Sequence, residues 1–243
     1  MRRLIAVGAC SFAAIGVAGW LMAQGGGAGD SVVDGFRFVE TGAVADAMEQ
    51  LYGQRTYMKH DMRPLYVTKF AGPAVTVLLK KEVHKEGSPA SQGLLDAIDQ
   101  APAGSVYVMQ LEDGLDIAGM GAIMATAMKW RGLTGAIIDG GLRDTPHIKK
   151  IQFPVFSRGI VPSTSVNHYR FGGMNVPIDC AGVRVNARDI IVADEDGVVV
   201  VPAAKAAEVL KRAQELDDVE HRMYPFIEKF RSIKEAVSKF GRL

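Results

Sequence analysis

The sequence predicts a single α/β domain, and three observations carry that expectation. Short runs rich in Val and Ile, bounded by Gly and Pro, alternate with stretches whose apolar residues recur at helical spacing. A length of 243 residues with 48% hydrophobic content supports one ordinary core, and nothing marks a second domain. Of the two cysteines, Cys10 and Cys180, the first lies in an apolar leader, so the mature domain has no disulfide framework or cysteine metal cluster within a protomer. Formal net charge is +1, from 28 Lys+Arg against 27 Asp+Glu, and with no basic field no nucleic-acid partner is expected.

Arg2-Arg3 precede an uncharged run from Leu4 to Ala23. Residues 1–23 read as a secretory signal peptide cleaved after Ala23, which implies a periplasmic or secreted protein. The alternative is a membrane anchor over residues 4–23, since that run at about 1.5 Å per residue reaches about 30 Å. Residues 24–30 read as a Gly-rich linker and 31–243 as the folded domain.

Thr41 to Leu51 has helical period, with Thr41 as N-cap and Asp46 as a solvated or capping acid. Val67 to Leu79 reads as strand, Lys80 to Gly87 as a charged loop holding His84, Ser88 to Gln100 as a helix, and Ser105 to Leu111 as a strand. Glu112 to Asp116 is an acidic turn in which Asp113 or Asp116 is an alternative metal ligand. Gly119-Met-Gly121 introduces a helix to about Arg131. Orphan amides and the positive dipole end make such a helix start a natural anion site.

Gly135 to Ile138 reads as a buried strand, Asp139-Gly-Gly141 as its turn, and Thr145-Pro146 as a helix start with Thr145 as N-cap. The turn delivers Arg143 and Asp144 together. A guanidinium fork matches a carboxylate or 2-oxo acid, and a carboxylate beside it can hold a hard divalent cation. The alternative is a surface ion pair. Phe153 to Phe156 is a second strand and Gly159 to Gly173 a loop, whose His168 and Arg170 are weaker cleft candidates. Val176 to Val185 and Asp189 to Val201 read as strands, the latter folded at Glu195-Asp-Gly197, so that its acids are turn formers rather than ligands. A helix runs from Pro202 toward Arg222, Tyr224-Pro225 ends it, and Phe226 to Leu243 forms a short helix.

The runs GAIIDGGLRD (135–144), FPVFSRG (153–159), NVPIDCAGV (175–183) and ADEDGVVVVP (193–202) resemble the RraA-like family, which includes the class II 4-hydroxy-4-methyl-2-oxoglutarate/4-carboxy-4-hydroxy-2-oxoadipate aldolases. The resemblance extends upstream through VADAM (44–48), MRPLY (62–66) and FAGPAVTV (70–77), and covers about residues 40 to 243. It implies the swivelling β/β/α fold, assembled as a homotrimer or hexamer with sites between protomers. It also implies a divalent-metal-dependent lyase on short 2-oxo acids, working by retro-aldol cleavage or oxaloacetate-type decarboxylation. In that reading Arg143 is catalytic and binds substrate, Gly121, Ala122, Ile123 and Met124 seat its carboxylate, and Asp144 holds Mg²⁺ or Mn²⁺. Glu220 is the nearest match to a glutamate that reaches a neighbouring subunit's site. The chain departs from the aldolases at Ala122, where they carry an acid that supports the metal's water shell, so Asp116 or an acid of another protomer would have to compensate. The same resemblance includes ribonuclease-E regulators, which makes a non-catalytic binding trimer the rival expectation.

Overall fold

The computed structural model describes residues 28–242, and the segment read as signal or anchor lies outside them. Among the described residues no helix is long and apolar enough to cross a membrane. The fold is mixed α/β, as the sequence predicts. Its spine is β2 (Phe70–Lys81), which runs parallel to β3 (Val106–Leu111), followed across the sheet by parallel β5 (Gly135–Leu142) and β6 (Val155–Ile160). The short β1 (Arg63–Pro64) closes the β6 edge antiparallel. The other edge of β2 is divided. Its first half pairs antiparallel with β10 (Ile190–Asp194), which continues into β11 (Gly197–Val201), and its second half pairs with β7 (Tyr169–Met174). A short β4 (Ala118–Met120) runs beside the end of β5.

Side-chain alternation along these strands fills three cores, because successive residues point to opposite faces. Val75, Val77, Tyr107, Met109, Ala136 and Ile138 meet helices α3 (Gln92–Gln100), α4 (Ala122–Trp130) and α5 (Thr145–Lys150). The opposite face, with Ala74, Val106, Val108, Ile137 and Phe156, is covered by the hairpin of β8 (Ile178–Cys180) and β9 (Val183–Val185) and by Ile191, Val198 and Val200. The alternate residues Ile190, Val192, Val199 and Val201 pack under α1 (Ala28–Phe36), α2 (Thr41–Tyr52) and α6 (Ala206–Phe230). Fully removing one such side chain from water is worth about 1.5–3 kcal/mol, so each face of the sheet is committed.

Several local expectations are corrected. α1 starts at Ala28, inside the stretch read as linker. Thr41 is the first residue of α2 rather than its cap. Its amide and hydroxyl both donate to the Asp194 carboxylate, at 2.9 and 2.6 Å, so a distant acid satisfies the helix start. Tyr169 to Met174, read as loop, is a strand, and 176–185 folds back where Ala181 (φ 45°) and Gly182 (φ 85°) take left-handed backbone. Pro225 sits inside α6, which continues to Phe230. An interior proline costs about 3 kcal/mol. Beside it Phe226 packs on Phe230 at 4.5 Å and on Phe240 of α7 (Ile233–Phe240) at 5.6 Å, so tertiary packing holds this end of the helix.

Candidate active site

Asp139-Gly-Gly141 does not turn. β5 runs straight through it to Leu142, and the glycines are needed for close approach instead. A Cβ on Gly141 would lie 2.3 Å from Val161 Cγ2 and 3.0 Å from the Ile117 carbonyl. The left-handed residue is Asp144, at φ 57° and ψ 31°, a conformation that Asp adopts more readily than most side chains. It also occupies the cap position of α5, one residue before the expected Thr145. Its carboxylate does not cap that helix. Asp144 Oδ2 accepts the Ala122 N–H at the start of α4, at 3.1 Å, so one residue ties the end of β5 to the first turn of α4.

Arg143 is fixed by its backbone N–H, which donates to the Met120 carbonyl at 3.1 Å, and by its Nη1, which donates to the Ser163 carbonyl at 3.1 Å. Ser163 is itself pinned, since its Oγ accepts from Ala118 N–H at 3.0 Å and donates to the Asp116 carbonyl at 3.2 Å. Arg143 Nε lies 3.8 Å from Asp144 Oδ2, and the two side chains are 42% and 49% exposed, so both are held yet reachable. A Cβ on Gly121 would stand 2.6 Å from Asp144 Oδ2 and 3.2 Å from Arg143 Cγ, so glycine lets both side chains lie against the start of α4 without shifting.

These groups line a cleft of about 250 Å³ at the carboxyl end of β5, where open α/β sheets place ligands. Gly121, Ile123, Met124, Arg143 and Asp144 all border it, as the sequence predicts. Ala122 does not line it and contributes only the amide that Asp144 takes. Since the first intrahelical bond of α4 is Ala125 N–H to the Gly121 carbonyl, the first-turn donors left for a ligand are Ile123 and Met124. The opposite wall, Thr164 to Val166 with Leu94 and Leu95, was not legible as part of a site.

The weaker candidates are placed elsewhere. Glu220 accepts from Arg242 Nε at 2.7 Å, and the same guanidinium reaches Asp46 at 2.9 Å, so Glu220 is not in its own protomer's cleft. Asp113 faces Lys81 at 3.9 Å, and Asp116 offers the site only its carbonyl. His84 meets the Tyr169 carbonyl at 3.1 Å, and Arg170 is held between Glu82 and Glu86; the bonds to Arg170 lower the pKa of Glu86. His168 is exposed and does not line the cleft. Among the described residues no three His, Cys, Asp or Glu side chains converge on one point. The donor set is therefore the Asp144 carboxylate alone, which fits a hard cation that takes one carboxylate and fills its other positions with water and substrate oxygens.

A second Arg–Asp grouping on β5 was missed. Asp139 accepts Arg158 Nη1 at 2.8 Å and the Ala181 N–H at 2.7 Å, while Arg158 Nη2 meets Asp61 at 2.5 Å. Burial works against the Arg158 charge, but the bonds from Asp61 and Asp139 outweigh it and its pKa rises.

With this geometry in hand, comparison with known proteins is decisive for the family. The RraA-like model, Aldolase/RraA, matches residues 41–200. The chain belongs to the RraA-like family. A Halalkalibacterium halodurans protein, provisionally named 4-hydroxy-4-methyl-2-oxoglutarate aldolase, is 32% identical over 180 residues, or 74% of this chain and 80% of that one. A solved structure from Pseudomonas syringae pv. tomato superposes with a TM-score of 0.77 at 29% identity, covering 86% of this chain and 93% of its own. Streptomyces coelicolor RraAS2, described as an unusual member of the RNase ES inhibitor RraA family, gives 0.69 at 26% identity over 79% of this chain and 94% of its own. The RraA-like chain thus has relatives carrying both an enzyme name and a regulator name, and fold alone does not choose between them.

Proposed function

We propose that this RraA-like protein is a lyase on short 2-oxo acids, cleaving them by a retro-aldol step that releases pyruvate or by oxaloacetate-type decarboxylation. The observation that carries the reading is the placement of Arg143 and Asp144 side by side against Gly121 in one cleft. The aldolase name of the Halalkalibacterium halodurans relative supports the same class.

In a retro-aldol step the substrate hydroxyl loses its proton, the carbon–carbon bond beside it breaks, and its electrons reach the 2-oxo oxygen as an enolate that is later protonated on carbon. The Arg143 fork binds the substrate carboxylate and that oxygen, so its charge meets the negative charge as it develops. The Ile123 and Met124 amides hold the carboxylate at the positive end of α4. Asp144 would hold Mg²⁺ or Mn²⁺, which when bound supplies Lewis acidity at the same oxygen. Among the described residues no ionisable side chain other than these two lines the cleft, so the proposal routes the hydroxyl proton to a cleft water. Turnover of 4-hydroxy-4-methyl-2-oxoglutarate or oxaloacetate by purified protein tests the reading. Arg143→Ala should abolish it, and unchanged turnover would remove the assigned role.

The proposal includes assembly as a homotrimer or hexamer, supported by the outward face of α4 beside the cleft, where Ile123 is 86% and Trp130 81% exposed. It also places the domain outside the cytoplasm, exported by residues 1–23 or anchored through 4–23; N-terminal sequencing of the mature protein decides between cleavage and anchoring. The rival reading is a non-catalytic binding trimer. One observation favours it, since Ala122 leaves Asp144 without a second acid. A chain that binds neither divalent metal nor 2-oxo acid would establish it.

A further inference from the structure

A second cleft, of about 480 Å³, lies on the far side of the sheet from Arg143, between the start of α2, residues 57–63, the β8–β9 turn and the start of β11. Lys59, His60 and Arg63 all line it, and Asp196 is the acid on its walls. Among the described residues neither the Lys59 nor the His60 side chain has an ion-pair or hydrogen-bond partner, and Arg63 reaches only the Asp196 backbone carbonyl, at 3.4 Å. The acid within this same short stretch, Asp61, points inward and is taken by Arg158. Lys59 and Arg63 are therefore left without the counter-charge that their own stretch of sequence carries.

They are also not free to separate. Met58 N–H bonds to the Val198 carbonyl at 2.9 Å, Lys59 N–H to the Ala181 carbonyl at 3.0 Å and Met62 N–H to the Lys59 carbonyl at 2.9 Å, while Tyr57 bridges Val199. The backbone holds like charges together around a concavity, an arrangement that a bound anion relieves and that needs little ordering on binding. The floor adds a second requirement. Tyr57, half-exposed, lines it as an aromatic wall, so the space suits more than a bare ion.

We propose that this cleft is a second ligand site, which takes a small organic anion with a flat or apolar body and an oxyanion head, phosphate or carboxylate, held by Lys59 and Arg63. Titration calorimetry of the full chain with phenyl phosphate, phenylacetate and inorganic phosphate tests it. At least one phenyl compound should bind more tightly than inorganic phosphate, and whichever binds better identifies the head. Lys59→Ala and Arg63→Ala should each weaken that binding about tenfold, Lys59→Arg should retain it, and Arg143→Ala should leave it unchanged. These side chains are exposed, so matched melting temperatures confirm that the variants are folded. Binding that survives the Lys59→Ala/Arg63→Ala double variant, that is lost in Arg143→Ala, or that is no tighter than for inorganic phosphate would overturn the assignment. So would a change in sedimentation of Lys59→Glu, which would make the cleft an interface between copies.

Discussion

Strand β5 and the two residues that follow it present aspartate to arginine twice, and the two encounters differ in everything except residue type. At Asp139 the pair is walled in: the carboxylate is 14% and the Arg158 side chain 11% exposed, and every oxygen of Asp139 has a partner. At Asp144 the pair is close to half exposed and 3.8 Å apart, and the arginine spends one bond on a backbone carbonyl instead. A buried pair whose carboxylate is fully bonded holds chain segments together; an exposed pair with a free carboxylate oxygen on rigid backbone keeps bonding capacity for a ligand. That distinction, rather than the Arg–Asp motif, separates scaffold from candidate site in this molecule.

Breaking each pair tests the distinction. Asp139→Ala leaves Arg158 with a single carboxylate and Ala181 N–H unpaired, and should lower unfolding free energy by about 3–5 kcal/mol in a urea titration, whereas Asp144→Asn, which removes the charge but keeps a side chain that tolerates left-handed backbone, should change it by less than about 1 kcal/mol. Equal losses would erase the contrast. Arg143→Lys keeps the charge and removes the planar fork; kcat/KM should fall about 10²–10³-fold with the melting temperature unmoved. Ala122→Asp sharpens the comparison from the other side, because it returns an acid to the first turn of α4 beside Asp144. Mn²⁺ should bind about tenfold more tightly by calorimetry, and an acid at that end of a helix is itself favourable by about 0.3–1 kcal/mol. The smallest effect is expected at Thr41→Val, which removes the hydroxyl bond to Asp194 but keeps the amide bond. Stability should fall by about 1 kcal/mol with activity intact.

What was legible in the sequence follows the range of the interaction. The β10–β11 hairpin and the start of α4 are set by neighbours a few residues apart, Asp196-Gly197 in one case and Gly121 in the other, and both were read correctly. Gly140-Gly141 was misread as a turn because the groups that require glycine, Val161 and the Ile117 carbonyl, are remote in sequence. Thr41 was misread as a cap for the same reason, its partner being Asp194. For the candidate site, local chemistry and resemblance single out Arg143, Asp144 and Gly121, and the fold brings them to one cleft. The wall from Thr164 to Val166 has no such signal, since what ties this loop to Arg143 is the backbone carbonyl of the preceding Ser163.

The proposed chemistry requires Asp144 and Arg143 to form a working site without a second acid at position 122. Thermal unfolding of the full chain with Mn²⁺ and oxalate, each alone and together, tests it most directly, because a ligand at about 100 times its Kd adds about 2.7 kcal/mol. A rise in melting temperature that needs both together and vanishes in Asp144→Ala is the predicted result. A folded wild-type protein whose melting temperature ignores the pair, or an Asp144→Ala variant that responds as the wild type does, would contradict it.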